Sequence, residues 1–374
     1  MGQIDVYRRL QQHLDRMPIG FPATESGVEI RILERLFTPE EAEIALDVSA
    51  IPEPLPTIHR RLRSRMSLPA LREVLDRMAA KGVIHRTGPS ASPSYGKLVL
   101  AIGMYELQLG RLTPDLDRDV RRYFEEAFGA AFHAAKTRQL RTVPVNVAIQ
   151  TGRPVASYDD IRGFVEAHEG PFGAMKCICR HGKDLLGEPC RQTRLRENCL
   201  TIGSSAKAMA KQGLARLIDR AEMLALLKAA DDEGLVLQPQ NTKNPTFVCC
   251  CCGCCCGVLT SARRLPSPAA VIDAAFHAEV DHSACGSCGA CRDRCQMGAI
   301  SLDGGPSEVD LGACIGCGLC VTTCPSGAMR LAPNAGRAIP PADTPALYMR
   351  IFRERYGTWG TAKALGRRLL GLKV

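Results

Sequence analysis

The chain has 374 residues, of which 45% are apolar and 23% charged, with a formal net charge of +9. That length suits two or three domains, the composition is that of a globular, soluble protein, and no apolar run of about 18 residues offers a spanning helix. Nineteen cysteines are far above ordinary usage and have to be explained by chemistry.

The start, "MGQIDVYRRLQQHLDRMPIG", is charged and periodic and lacks the apolar core of a signal peptide, so a cytoplasmic protein is expected. In that compartment thiols stay reduced, and an odd cysteine count suits a disulfide framework poorly, which leaves metal ligation as the favoured use. The net charge is no nucleic-acid signature by itself: residues 1–89 hold 13 Lys+Arg against 12 Asp+Glu, with "HRRLRSR" at 59–65 as the most basic patch.

Within that first third, "RLFTPEEAEIAL" opens a helix with Thr38 as N-cap, Pro39 as first helical residue and Glu41 as capping-box partner. "MSLPALREVLDRMAAKGVIHRTGPSASPSYGKLVLAIG" follows as a helix buried through Leu71, Val74, Leu75 and Met78, a glycine stop at Gly82, and two strands around a polar turn. Short helices, a longer helix and a two-stranded wing resemble a winged-helix domain. The helix that would read DNA exposes Arg72, Glu73, Asp76, Arg77 and Lys81, a mixed-charge face, so protein contact or packing is expected ahead of nucleic-acid binding.

Thr113 and Pro114 start the next helix, with Leu116, Val120, Phe124 and Phe128 as a core stripe. His133 and His168 are expected as polar surface residues, and "PVNVAIQTGRPVASYDDI" as holding one short strand. Residues 177–199, "CICRHGKDLLGEPCRQTRLRENC", supply Cys177, Cys179, Cys190 and Cys199 amid Arg180, Lys183, Arg191, Arg194 and Arg196, a setting for an anionic centre. A helical stretch follows, with Leu217, Ala221, Leu224 and Leu227 or Lys228 near one stripe, Asp219 and Glu222 as a cap, and Gly234 as a stop.

Then comes "TFVCCCCGCCCG", seven cysteines in eight positions split by Gly253. Neighbouring side chains on an extended backbone point to opposite sides, so the run cannot all face one small site, and Gly253 permits a turn that brings Cys251 or Cys252 towards Cys254 or Cys255. At least one further centre is expected, drawn from Cys177, Cys179, Cys190, Cys199, Cys249, Cys251, Cys252, Cys254 and Cys255. An additional iron–sulfur cluster is favoured, with zinc as the alternative and unligated thiols as the remaining one.

"CGSCGACRDRC" at 285–295 and "CIGCGLCVTTCP" at 314–325 both read C-x₂-C-x₂-C-x₃-C. They resemble the bacterial two-cluster ferredoxins, each holding two 4Fe-4S clusters. In that family three thiolates wrap one cubane and the fourth crosses to the other. The resemblance implies Cys285, Cys288, Cys291 and Cys324 for cluster I and Cys314, Cys317, Cys320 and Cys295 for cluster II. A shift of 29 residues superposes the two motifs and carries "GAISL" at 298–302 onto "GAMRL" at 327–331. Gly286, Gly289, Gly316 and Gly318 are expected at tight turns, and Gln296 stands where a second proline might follow Cys295. Over residues 100–330, the order of cysteine groups is similar to a family of anaerobe-associated iron–sulfur proteins. Its relatives carry Asn at the position of Cys250, which implies that Cys250 is the spare thiol.

The expected fold is α+β and multidomain. A winged-helix-like domain spans 1–110, a helical cysteine-rich domain 111–265, a two-cluster ferredoxin domain 275–333 and a basic, helical tail 334–374. The N-terminal and middle regions are expected to be mostly helical. No dinucleotide fingerprint, P-loop, Ser/His/Asp set or carboxylate pair stands out, so no catalytic residue is named. The expected function is single-electron transfer between protein redox partners. The rival classes are an oxidoreductase subunit and a redox-responsive winged-helix regulator.

Overall fold

The computed structural model describes residues 3–145 and 159–373. Its first unit, residues 1–136 with 349–374, begins with α1 (Gln3–Leu14), α2 (Val28–Leu36) and α3 (Pro39–Ala45). Thr38 caps α3 as its sequence predicts: its Oγ1 accepts from the Glu41 amide at 3.2 Å, while Glu41 Oε2 accepts from the Thr38 amide at 2.9 Å. Leu10, Ile32, Leu33, Leu36 and Ile44 are fully buried, and Tyr7 donates from the same core to the Phe37 carbonyl at 2.9 Å.

β1 (Glu53–Pro54), α4 (Leu55–Leu62), α5 (Leu68–Ala80), β2 (Ile84–Thr87) and β3 (Ser94–Lys97) come next, the strands pairing antiparallel in the order β1-β3-β2. Leu71, Val74, Leu75 and Met78 form the buried face of α5. Gly82, at φ 73, ends the helix in the left-handed region that Cβ disfavours, and the Val83 amide returns to the Met78 carbonyl at 3.1 Å. Thr113 caps α6 (Pro114–Tyr123), which runs through a π-type turn at Phe124–Phe128 into α7 (Gly129–Ala134). His133 lies inside this packing at 4% exposure, not on the surface, and the Phe132 ring stands edge-on to it 5.3 Å away.

The second unit, residues 137–348, contains β4 (Arg141–Thr142), α8 (Ile161–Ala167), β5 (Phe172–Lys176), α9 (Ile178–Leu185), β6 (Glu197–Ile202), α10 (Ser204–Lys211), β7 (Ala215–Ile218), α11 (Arg220–Asp232), β8 (Val236–Pro239), β9 (Phe247–Cys251) and α12 (Gly257–Ala262). The short strand expected from "PVNVAIQTGRPVASYDDI" falls largely outside the described residues. The middle region adds to its helices a sheet that was not expected: five strands form one antiparallel sheet in the order β7-β5-β6-β9-β8. Its strands are short, and two of them, "FGAMK" and "FVCCC", carry little of the β-branched signature of a strand, so the Ala/Leu periodicity of α10 and α11 dominates the sequence. Leu217, expected on a helical stripe, sits on edge strand β7 and is 56% exposed. Asp219 does cap α11, accepting from the Glu222 amide at 2.8 Å, and Gly234 ends it at φ 70.

The unit continues with α13 (Pro268–Val271), β10 (Asp273–Ala274), β11 (Phe276–Val280), α14 (Ala290–Arg294), β12 (Ile300–Ser301), β13 (Glu308–Val309), α15 (Leu319–Thr322) and β14 (Met329–Pro333). β11 pairs antiparallel with β14 and β12 with β13. α16 (Thr344–Leu369), interrupted at Gly357, makes the basic tail helical. Within the first unit the tail bonds back onto the N-terminal helices: Arg355 donates to the Met17 carbonyl at 2.7 Å and Lys373 to the Leu46 carbonyl at 3.1 Å. Among the described residues no helix is long and apolar enough to cross a membrane.

Candidate metal centres

All nineteen cysteines are free thiols. In the segment 276–333, the 29-residue repeat is also a repeat in space. The Ala278 amide lies 3.3 Å from Cys314 Sγ, and the Ser307 amide, 29 positions on, lies 3.4 Å from Cys285 Sγ. Each half therefore donates to the first thiol of the other. The Ala299 amide lies 3.3 Å from Cys295 Sγ, and its counterpart Ala328 donates to Cys324.

The backbone dihedrals repeat in the same way. Gly289 and Gly318 both take φ 76 and serve as the N-caps of α14 and α15. Gly316 takes φ 62, but its counterpart is Ser287, at φ 51. Gly286 is not in the left-handed region, so the tight turn expected there falls one residue later.

The fourth cysteine of each motif is near enough to the other motif to act on its thiols, as Cys291 also is to act on Cys320. Cys295 acts electrostatically on Cys314, Cys317 and Cys320, and Cys324 acts on Cys285. Burial pushes Cys317 up to about 12 and raises Cys314 and Cys320, whereas the Ser307 amide lowers Cys285, and Cys288 is exposed. These residues fit iron–sulfur clusters: the donors are all thiols, they lie apart, and backbone amides point at their sulfurs.

Residues 307–330 match the family model of the 4Fe-4S binding domain, which takes in the whole second motif. The segment is iron–sulfur, of ferredoxin type. No curated protein and no solved structure matches the chain.

Upstream, the sheet divides the remaining thiols. On β9 the side chains alternate, so Cys249 and Cys251 share one face and Cys250 takes the other. Cys249 stands opposite Cys199 of β6. A line of thiol contacts runs Cys177–Cys179–Cys256–Cys251–Cys249–Cys199, with Cys256 and Cys251 3.4 Å apart. Contact with Cys199 and Cys251 holds Cys249 well below the ordinary thiol value, and contact with Cys179 and Cys251 does the same for Cys256. Cys256 joins this line although its position in the run does not mark it as a ligand. Its one signal is its place as the residue before α12, where the Leu259 amide donates to its sulfur.

A second group, Cys190, Cys252, Cys254 and Cys255, has all four sulfurs within 4.8 Å of one another. The structure thus separates nine of the pooled upstream thiols, and Cys256, into two groups. Cys250 belongs to neither; burial pushes its thiol up.

Arg180 lies between the two groups with no solvent exposure. It donates to Asn198 Oδ1 at 2.7 Å and the Cys250 carbonyl at 2.9 Å, while its Nε has no hydrogen-bond partner among the described residues. Burial works against its charge, but the thiols at Cys177, Cys252, Cys251 and Cys190 outweigh that and raise its pKa. Of the other expected cations, Lys183 pairs with Glu188 and Arg196 with Asp184, and Arg191 and Arg194 are exposed. A single buried guanidinium, not a ring of cations, faces the thiols.

Gly253 lies in the turn expected of it, which brings Cys252 to 3.6 Å from Cys254, and it has a second role besides. A Cβ there would lie 2.3 Å from the Gln296 carbonyl oxygen, and the Gly253 amide donates to Gln296 Oε1 at 2.8 Å. The departure from proline at 296 is thus the contact that joins the cysteine run to the ferredoxin segment.

Proposed function

We propose that this chain relays single electrons between protein redox partners, through two 4Fe-4S clusters in residues 285–324 and a further metal centre among the upstream thiols. The observation that carries this reading is the reciprocal pair of amide–sulfur bonds, Ala278 to Cys314 and Ser307 to Cys285. Such donors stabilise negative charge on ligand sulfurs, and they tie each half of the repeat to the other half's thiols. When bound, the clusters supply one-electron chemistry; the chain supplies ligands, spacing and electrostatics. On this reading cluster I takes Cys285, Cys288, Cys291 and Cys324, and cluster II takes Cys314, Cys317, Cys320 and Cys295. The six-thiol line from Cys177 to Cys199, with the unpartnered Nε of Arg180 nearby, suits a further anionic iron–sulfur centre.

The strand order β1-β3-β2 around α4 and α5 supports a winged-helix reading of the N-terminal domain. Use of α5 on DNA is disfavoured by its pairing: Arg72 lies 3.6 Å from Asp76, Arg77 3.4 Å from Glu41 and Lys81 2.5 Å from Glu41. Such cations are held by carboxylates of their own unit and leave no basic stripe.

The test is iron and acid-labile sulfide per chain on protein isolated without oxygen. The reading requires about eight of each, with about twelve if the six-thiol line also holds a cubane. About four of each or fewer would sink it.

A further inference from the structure

We infer that Cys190, Cys252, Cys254 and Cys255 form a closed, mononuclear tetrahedral site for a zinc ion, separate from every iron–sulfur centre of the chain. The distances carry this. Cys190 Sγ lies 3.7 Å from both Cys252 Sγ and Cys254 Sγ, and Cys254 Sγ lies 3.6 Å from Cys252 Sγ and from Cys255 Sγ. Cys252 and Cys255 are in contact as well. A tetrahedron with metal–sulfur bonds of about 2.3 Å has sulfur–sulfur edges of about 3.8 Å. Four of the six sulfur–sulfur pairs stand at about that edge length and all six lie within 4.8 Å, around a centre that suits one ion.

A cubane does not fit there. It places irons and sulfides between its four thiolates and holds them much further apart. The chain supplies its own comparison: the Cys190 group is the one set of three or more candidate ligands within 4.8 Å among the described residues, and the eight thiols of 285–324 form no such set. The six-thiol line forms none either, because its contacts run end to end.

The surroundings are those of a thiolate site. The amides of Thr193 and Gln192 donate to Cys190, and the amide of Arg191 donates to Cys254, so the loop that follows Cys190 turns its N–H groups onto the sulfurs. Donors of this kind orient ligand thiolates and offset their charge, and the buried Arg180 adds a full positive charge beside them. Four protein ligands leave no open position, which marks a structural ion. Binding releases to solvent whatever protons the four thiols still hold and changes no oxidation state. The ion would pin the loop at Cys190 to the turn at Gly253, and so fix where Cys251 and Cys256 on either side of that turn stand.

The experiment uses the full chain, isolated without oxygen from cells grown with both zinc and iron, and measures zinc, iron and sulfide together. The wild type is expected to hold one zinc per chain. Cys190→Ser and Cys255→Ser are each expected to lower zinc content at least about tenfold, with the electron paramagnetic resonance signals of the reduced ferredoxin clusters retained. X-ray absorption at the zinc edge of the wild type, which needs no variant to fold, is expected to show four sulfurs at about 2.3 Å and no iron neighbour. Absence of zinc from the wild type overturns the inference, as do nitrogen or oxygen ligands at the edge. Matched loss of iron and sulfide from Cys190→Ser overturns it, and so does loss of a single iron without sulfide. Zinc retained in a chain lacking iron and sulfide would instead count against the electron-transfer reading alone.

Discussion

A methyl group on Gly316 would lie 1.9 Å from the Phe276 carbonyl oxygen, and the residue sits at φ 62. Both facts forbid a side chain. Gly316→Ala is expected to cost more than the roughly 1–2 kcal/mol of a left-handed non-glycine residue, because β11 must also shift. Gly286 meets nothing within 4 Å and lies outside the left-handed region, so Gly286→Ala is expected to leave iron content and thermal midpoint unchanged. Equal behaviour of the two variants would contradict the assignment. The sequence displays four glycines among the motifs, yet spacing alone does not say which are indispensable. That depends on a neighbouring carbonyl 40 residues away in the chain, and on Ser287 accepting a conformation usually left to glycine.

At the scale of elements, the repeat is the part most legible in advance. Eight cysteines in duplicate order, and the shift of 29 that extends to "GAISL" and "GAMRL", announce two related halves. The strand exchange, β11 with β14 and β12 with β13, is the structural form of that duplication. It leads to an expectation for Cys324→Ser: the signal of the cluster held by Cys285, Cys288 and Cys291 is lost, although Cys324 follows the other motif in sequence. Spectra showing damage confined to the cluster of Cys314, Cys317 and Cys320 would refute it. Period-2 alternation likewise sorts Cys250 from Cys249 and Cys251 once β9 is known to be a strand. The sheet itself was hidden. Strands such as "FGAMK" and "FVCCC" carry little β-branched signal, and their stability comes from cross-strand neighbours and from α11, whose Met223, Leu227 and Ala230 are buried. The division of the upstream thiols into four and six was therefore unreadable: Cys190 joins Cys252 across 62 residues through that sheet.

The whole molecule is stabilised in two different ways. The second unit gathers all nineteen thiols, so its stability is tied to metal. The first has an apolar core with one costly inclusion. Lys97, 7% exposed, sits 2.5 Å from His13, and burial, reinforced by Lys373, lowers its pKa from 10.5 to about 7. The same burial lowers His13 to about 3. A lysine whose folded value lies below its unfolded value binds fewer protons when folded, so its contribution to stability falls as pH drops from 10.5 to about 7 and is constant below that. His13 repeats the pattern between 6.5 and about 3. Lys97→Met is expected to raise the thermal midpoint of the first unit at pH 7 and to flatten its rise between pH 7 and 9. Parallel melting curves for variant and wild type across that range would rule this out.

The contact between Gly253 and Gln296 has a consequence for how the molecule is made. Gly253 lies between Cys252 and Cys254, and Gln296 directly follows Cys295, so one backbone junction borders two sets of thiols drawn from distant parts of the chain. A ribosome delivers the upstream cysteines well before the downstream ones, so the Gly253 amide gains its Gln296 partner only after the rest of that turn has been made. A chain truncated before residue 296 is therefore expected to keep the upstream thiols but to lose the one side chain that the Gly253 amide bonds, and with it the register between the two cysteine segments.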